Sequence, residues 1–175
     1  MNRKLIEHDL PLTEISGAAG HEKNIHIGLP AQFHVWWARR PLASSRATAF
    51  AALLDDPEDE TRRAELRRLI QKISPWKAVK DGDSPAVEEA RRHVREQYCD
   101  DPPRVLDPFA GGGSIPLEAL RLGCETYASD YNPVAVFIER ATLEWPQKFG
   151  IEVELPVEGE ASGDLTDLRR GDGRV

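Results

Sequence analysis

The hydrophobic positions of this chain change period near residue 104. Before it, Leu42, Ala47, Phe50, Ala51 and Leu54 follow Pro41 at near-helical spacing and predict a helix of about four turns. That helix runs into an acidic stretch, Asp55, Asp56, Glu58, Asp59 and Glu60, which reads as a solvated face. Thr61 to Ile73 repeats the pattern through Leu66, Leu69, Ile70 and Ile73, and Ser74-Pro75 ends it. The Pro-, Gly-, Asp- and Lys-rich stretch from Ser74 to Ser84 reads as an exposed loop. Ser84-Pro85 then starts a helix whose buried side is Val87, Ala90 and Val94, with Glu88 one residue beyond the usual capping-box spacing. Residues 1–40 show no sustained period and are expected to wrap a partner surface rather than form one element.

After Asp100-Asp101-Pro102-Pro103 the texture is that of a sheet protein. Arg104 to Asp107 is a short apolar run ending on a carboxylate, Gly111-Gly112-Gly113 is a turn, and Ile115 to Leu122 is helical and closed by Gly123. Glu125 to Asp130 predicts a second strand, and Asn132-Pro133 starts a helix carrying Val134, Val136, Phe137 and Ile138. Strand, glycine turn, helix, strand, acid, helix is the opening of a doubly wound parallel sheet. Beyond Trp145 only Ile151 to Leu155 reads as a strand. The expected architecture is an incomplete Rossmann-like three-layer α/β domain over 104–175, a mainly helical N-terminal extension over 1–74, and a linker over 75–103. A length of 175 residues suits one such domain-sized piece.

Composition narrows the class. Apolar residues at 40% and charged residues at 30% describe a globular protein, and no apolar run approaches the roughly 18 residues of a membrane span. Met1 to His8 lacks the apolar stretch of a signal peptide, so a cytoplasmic location is expected. Cys99 and Cys124 are too few and too far apart for a zinc site and are expected to be reduced and buried; no metal ligand is nominated. The net charge of -7 is opposite to that of a free-standing nucleic-acid binder, although Arg39, Arg40 and Arg46 lie together.

The chemistry concentrates in Asp107-Pro108-Phe109-Ala110-Gly111-Gly112-Gly113-Ser114. A glycine turn between strand and helix lets backbone approach a ligand, and the helix behind it offers unpaired N–H groups. The block is no P-loop, because no lysine lies near Gly113, and it lacks the spaced third glycine of a dinucleotide fingerprint. A carboxylate at Asp107 would repel a pyrophosphate but suits an ammonium group. Asp130, one strand-helix-strand unit on, can accept hydrogen bonds from both ribose hydroxyls of an adenosine ligand. Tyr131 beside it can lie on an adenine, with Asn132 completing this end of the site. The bland alternative is that the glycines only make a tight turn and Asp130 only caps the Pro133 helix.

Asp107 to Ser114 resembles the first motif of DNA amino-methyltransferases, which methylate adenine N6 or cytosine N4, and in which the Phe, here Phe109, lies against the bound S-adenosylmethionine. The N-terminal segment is similar to something narrower, through Leu10-Pro11-Leu12-Thr13-Glu14-Ile15-Ser16, Glu22-Lys23, and His34-Val35-Trp36-Trp37-Ala38-Arg39-Arg40-Pro41-Leu42-Ala43. It resembles the domain of unknown function 1156, which opens large proteins identified as adenine-specific DNA methylases. The resemblances cover Leu5 to Glu144 and imply a class I methyltransferase fold, S-adenosylmethionine as cofactor, and DNA as the partner of the complete enzyme, with adenine N6 as the target.

The resemblance also implies a segment sealing the methionine end of the cofactor, with Arg39 or Arg40 available for its carboxylate. The other reading makes Trp36 and Trp37 core anchors and leaves the arginines in solvent or on phosphate; His34 reads as structural. Arg169-Arg170-Gly171-Asp172-Gly173 resembles a third cofactor motif in which Asp172 accepts from the adenine amino group, or it is simply a terminus. The family's base-holding motif, a polar residue followed by Pro-Pro and an aromatic, is missing: Asp101-Pro102-Pro103 precedes the glycine turn and is followed by Arg104. No catalytic residue is therefore nominated. The chain reads as the cofactor portion of a longer enzyme, or as a binding subunit that needs a separate catalytic chain, with a nicotinamide dehydrogenase as a distant third possibility.

Overall fold

Helix α1 (Leu12–Glu22) forms where the sequence predicts no single element. Its Ser16-Gly17-Ala18-Ala19-Gly20 run has weak helical preference, and a narrow stripe of Ile15, Ala19 and Glu22 is all that it buries. Packing against α2 (Leu42–Leu53) supplies what propensity does not. The carboxylate of Glu22 then caps α2, accepting from the backbone N–H groups of Leu42 and Ala43 at 3.0 Å each. Helix α2 is buried on most sides, from Leu42 and Ala43 through Arg46, Ala47, Phe50 and Ala51 to Leu53, and so occupies the centre of the molecule. The computed structural model describes residues 3–8, 10–25, 34–80, 82 and 84–150.

The acidic stretch after α2 is paired rather than merely solvated, contrary to the expectation from its charge. Asp55 accepts from Lys4 Nζ at 2.7 Å, Asp56 accepts from Arg63 Nε at 2.8 Å, and Asp59 caps α3 (Glu60–Ile73) by accepting from Thr61 N and Arg62 N. The loop from Ser74 to Ser84 also departs from its expected exposure. It contains a 3₁₀ turn at Trp76–Ala78, and Ser74, Ala78 and Val79 are buried. Helix α4 (Pro85–Gln97) buries Val87, Ala90 and Val94 as predicted, although the Ser84 hydroxyl makes no capping bond. Among the described residues, no helix is long and apolar enough to cross a membrane.

Strands β1 (Arg104–Asp107) and β2 (Glu125–Ala128) pair in parallel, with Arg104 opposite Glu125 and Asp107 opposite Ala128. Helix α5 (Ser114–Arg121) makes the crossover and ends before Gly123, whose φ of +88° is the left-handed conformation a helix stop favours. Helix α6 (Pro133–Glu139) continues through a π-helical turn (Arg140–Glu144) into α7 (Trp145–Phe149). One apolar cluster joins the N-terminal helices to this unit, from Leu5, Phe50 and Ile73 through Val87 and Val94 to Ala119, Leu122 and Cys124. Val105 packs against that cluster, while Leu106 and Tyr127, which face each other across the strands, are exposed. Helices therefore cover one face of the sheet among the described residues. Cys124 is buried as expected, and burial pushes its thiol up to about 11; Cys99 is exposed, because it stands in a left-handed turn after α4 (φ +53°) that directs it away from the core.

Candidate functional site

The glycine turn is shaped by hydrogen bonds that run past the ends of the two strands. Ser129 N donates to Asp107 O and Ala110 N donates to Ser129 O, both at 3.0 Å, so the turn stays stitched to the end of β2. Gly113 N donates back to Ala110 O at 2.8 Å and closes a tight turn into α5. Gly111 and Gly113 stand at φ +55° and +73°, the left-handed region, which accounts for glycine at both.

Asp130 lies two residues past β2 rather than at its end, and it locks the turn from the other strand. Its Oδ2 accepts from Gly111 N at 2.9 Å and its Oδ1 accepts from Asn132 N at 2.8 Å. These backbone donors, Asn132 first and Gly111 second, hold its carboxyl below the usual carboxylate range. Capping of α6 falls instead to Asn132, whose side chain accepts from Val134 N at 2.9 Å. Asp107 closes β1 half-buried, with its Oδ1 accepting from Phe109 N at 3.2 Å. Around these acids stand two side chains with their rings in solvent, Phe109 at 80% and Tyr131 at 99% exposure. Pro108 is exposed, Ala110 and Gly112 are half-buried, and Ser114 is buried at the start of α5.

The structure brings the tryptophan-arginine block onto this turn. A Cβ added at Gly111 would lie 2.7 Å from Trp36 Nε1, and one at Gly112 would lie 3.3 Å from Trp36 Cβ and 3.8 Å from Arg39 Cγ. Gly111 is thus required twice, by its φ and by the indole that occupies the place of a side chain. Residues 9–73 match the family described as a protein of unknown function, DUF1156. No curated protein and no solved structure matches the chain.

The DUF1156 segment therefore carries the residues that lie on the glycine turn, while the turn itself lies outside the match. Within the segment Trp36 is half-buried and Trp37 is 79% exposed, stacked on Trp36 at 4.5 Å between ring centroids. Trp37 is consequently not a core anchor. Arg39 packs over Gly112 with its Nη1 buried and without a hydrogen-bond partner among the described residues, whereas Arg40 is exposed. His34 is exposed, with its ring 6.5 Å from that of Trp36. Asp172 and the strand expected at Ile151 to Leu155 lie outside the described residues.

Besides Glu22, which caps α2, two buried acids could not be placed from the sequence. Glu118 of α5 is bound by Arg46 of α2, and Glu139 at the end of α6 lies against Gly113. Glu139 continues the stripe of Ala135 and Ile138 at helical spacing, and that periodicity was the one signal that could have placed it inside. Among the described residues no group of His, Cys, Asp or Glu is arranged to hold a metal ion.

Proposed function

We propose that this chain is the S-adenosylmethionine-binding portion of a DNA methyltransferase acting on adenine N6, built on a class I methyltransferase sheet of which β1, α5, β2 and α6 are the opening. One observation carries this reading: the Asp130 carboxylate is held between Gly111 N–H and Asn132 N–H at the mouth of the glycine turn that leads from the first of two parallel strands into α5. An ionised carboxylate has about four lone-pair positions, and those that the backbone donors leave free suit ribose hydroxyls.

When bound, S-adenosylmethionine supplies an electrophilic methyl group on its sulfonium. This chain's residues hold it: Asp107 takes the ammonium of the methionine part, Asp130 takes the ribose, and the exposed rings of Phe109 and Tyr131 offer apolar faces. Arg39, already packed on Gly112 with an unpaired N–H, takes the methionine carboxylate. Orienting the target amine needs the Pro-Pro-aromatic motif that this sequence lacks. We assign that step, and most of the grip on DNA, to a further polypeptide portion, in one chain with this one or as a separate subunit; the net charge of -7 agrees with that division.

Calorimetry tests the assignment. S-adenosylmethionine and its demethylated product are expected to bind the chain, and NAD is not; tight NAD binding with no binding of the other two would sink it. The structure also separates the two arginines. Arg39→Ala is expected to weaken binding of the product about tenfold, a loss of one charge-assisted contact, and Arg40→Ala to leave it unchanged. Equal effects of the two substitutions would remove Arg39 from the site.

A further inference from the structure

Glu139 ends α6 against the glycine turn. A Cβ built on Gly113 would sit 3.8 Å from its Cγ, the residue is 5% exposed, and its Oε1 is buried with no hydrogen-bond partner among the described residues. An unpaired buried carboxyl costs the fold free energy that an apolar side chain of the same size would not. Together with Asp130 it lines an open groove of about 710 Å³ along β2.

The charges that bear on Glu139 are of its own sign. Asp130 stands past the end of β2 and Asp107 at the end of β1, and both act on it electrostatically. On the following turn Arg140 is exposed and lies 3.7 Å from Glu144, which also holds Lys148 at 2.7 Å. Glu125, farther along the groove, is held by Arg104 at 3.2 Å, and Glu118 on α5 is bound to Arg46. Burial first, and then Asp130 and Asp107, push the Glu139 carboxyl up to about 7.

We propose that Glu139 is the proton-coupled third carboxylate of this site, losing its proton when a ligand of net positive charge settles on the glycine turn and keeping it when a net neutral one does. This rests on the reading of the site as one for S-adenosylmethionine, which is net positive, whereas its demethylated product is net neutral. A positive charge brought beside a shielded carboxyl favours the ionised form. Without a ligand Glu139 holds the proton below about pH 7, so binding the donor there must expel it. Donor affinity then falls as the pH drops below that value, approaching tenfold per unit, and levels off above it, while product affinity does not follow. Glu139 thereby lets the site tell donor from spent product near neutral pH.

Calorimetry of the chain with each ligand, in buffers of different ionisation enthalpy near pH 7, reads the released proton directly. The expected result is proton release with the donor, little with the product, and a donor-over-product preference that grows several-fold between about pH 6 and about pH 8. Glu139→Gln, which mimics the protonated carboxyl, is expected to abolish the release and flatten the preference while product affinity stays within about threefold of wild type. Equal proton release with both ligands in the wild-type chain overturns the proposal, as does release that persists in the Gln variant. Because the wild-type comparison decides by itself, a Gln variant that fails to fold does not rescue the idea. If neither ligand binds the wild-type chain, the nucleotide reading falls and this inference with it; product binding without the Glu139-dependent difference fells this inference alone.

Discussion

Glu118→Ala is expected to destabilise the protein by about 3 to 5 kcal/mol, the usual penalty for stranding one half of a buried ion pair. The pair is nearly sealed from water, at 1% exposure for the Arg46 side chain and 0% for that of Glu118. It is also bidentate: Arg46 Nε donates to Glu118 Oε2 at 2.6 Å and Nη2 to Oε1 at 3.0 Å. The third arm, Nη1, donates to Ile73 O at 2.5 Å at the end of α3, and Arg121 Nε lies 3.3 Å from the same carboxylate. Truncating Glu118 leaves the Arg46 guanidinium inside without its counter-charge, between the DUF1156 helices and the sheet unit they pack on. Chemical denaturation followed by circular dichroism measures the loss. The double variant Arg46→Met, Glu118→Met is expected to recover most of it, since replacing a buried pair by apolar side chains is often neutral. A single variant within about 1 kcal/mol of wild type would show that the pair does not tie the two parts together.

Asp130→Ala is expected to reduce affinity for S-adenosylmethionine or its product on the order of ten- to a hundredfold, as hydrogen bonds to a charged acceptor are lost from the ligand. The effect has a second source. Asp130 also receives Gly111 N–H, so the variant frees the turn that shapes the site before any ligand arrives. Asp130→Asn separates the two contributions: its single carbonyl oxygen can keep one of the two backbone bonds but not both, and an intermediate loss is expected. The depressed carboxyl sets the pH window. Stabilisation of the turn by Asp130 is fully present above the ordinary carboxylate range and is lost as the pH falls through the lowered value, so acid below that range loosens the turn. Titration calorimetry on the three proteins checks the order, and unchanged affinity in the Ala variant would remove Asp130 from ligand binding.

The amino-acid sequence determined the local elements wherever period and punctuation agreed. Leu66, Leu69, Ile70 and Ile73 recur at helical spacing with Ser74-Pro75 after them, and α3 follows. Gly111, Gly113 and Gly123 mark backbone that takes left-handed angles, and Asn132-Pro133 both caps and starts α6. Asp107, the glycines and Asp130 were legible as neighbours because a strand, turn, helix, strand unit returns its second strand beside the first, so that the end of β2 meets the turn. Tertiary structure decided what depends on distant partners. Helix α1 exists because a narrow apolar stripe meets α2, and Glu22 is buried because its carboxylate caps that helix from 20 residues away in sequence. Trp36 could not be placed from sequence, since an indole reads alike as core or as ligand wall; only the missing side chain at Gly111 made room for it. The acids told the same story. Nothing local distinguishes Glu118 from a solvated glutamate, and for Glu139 only its place on the stripe of Ala135 and Ile138 does; their burial was set by which helices closed over them, leaving one paired with Arg46 and the other without a partner beside the turn.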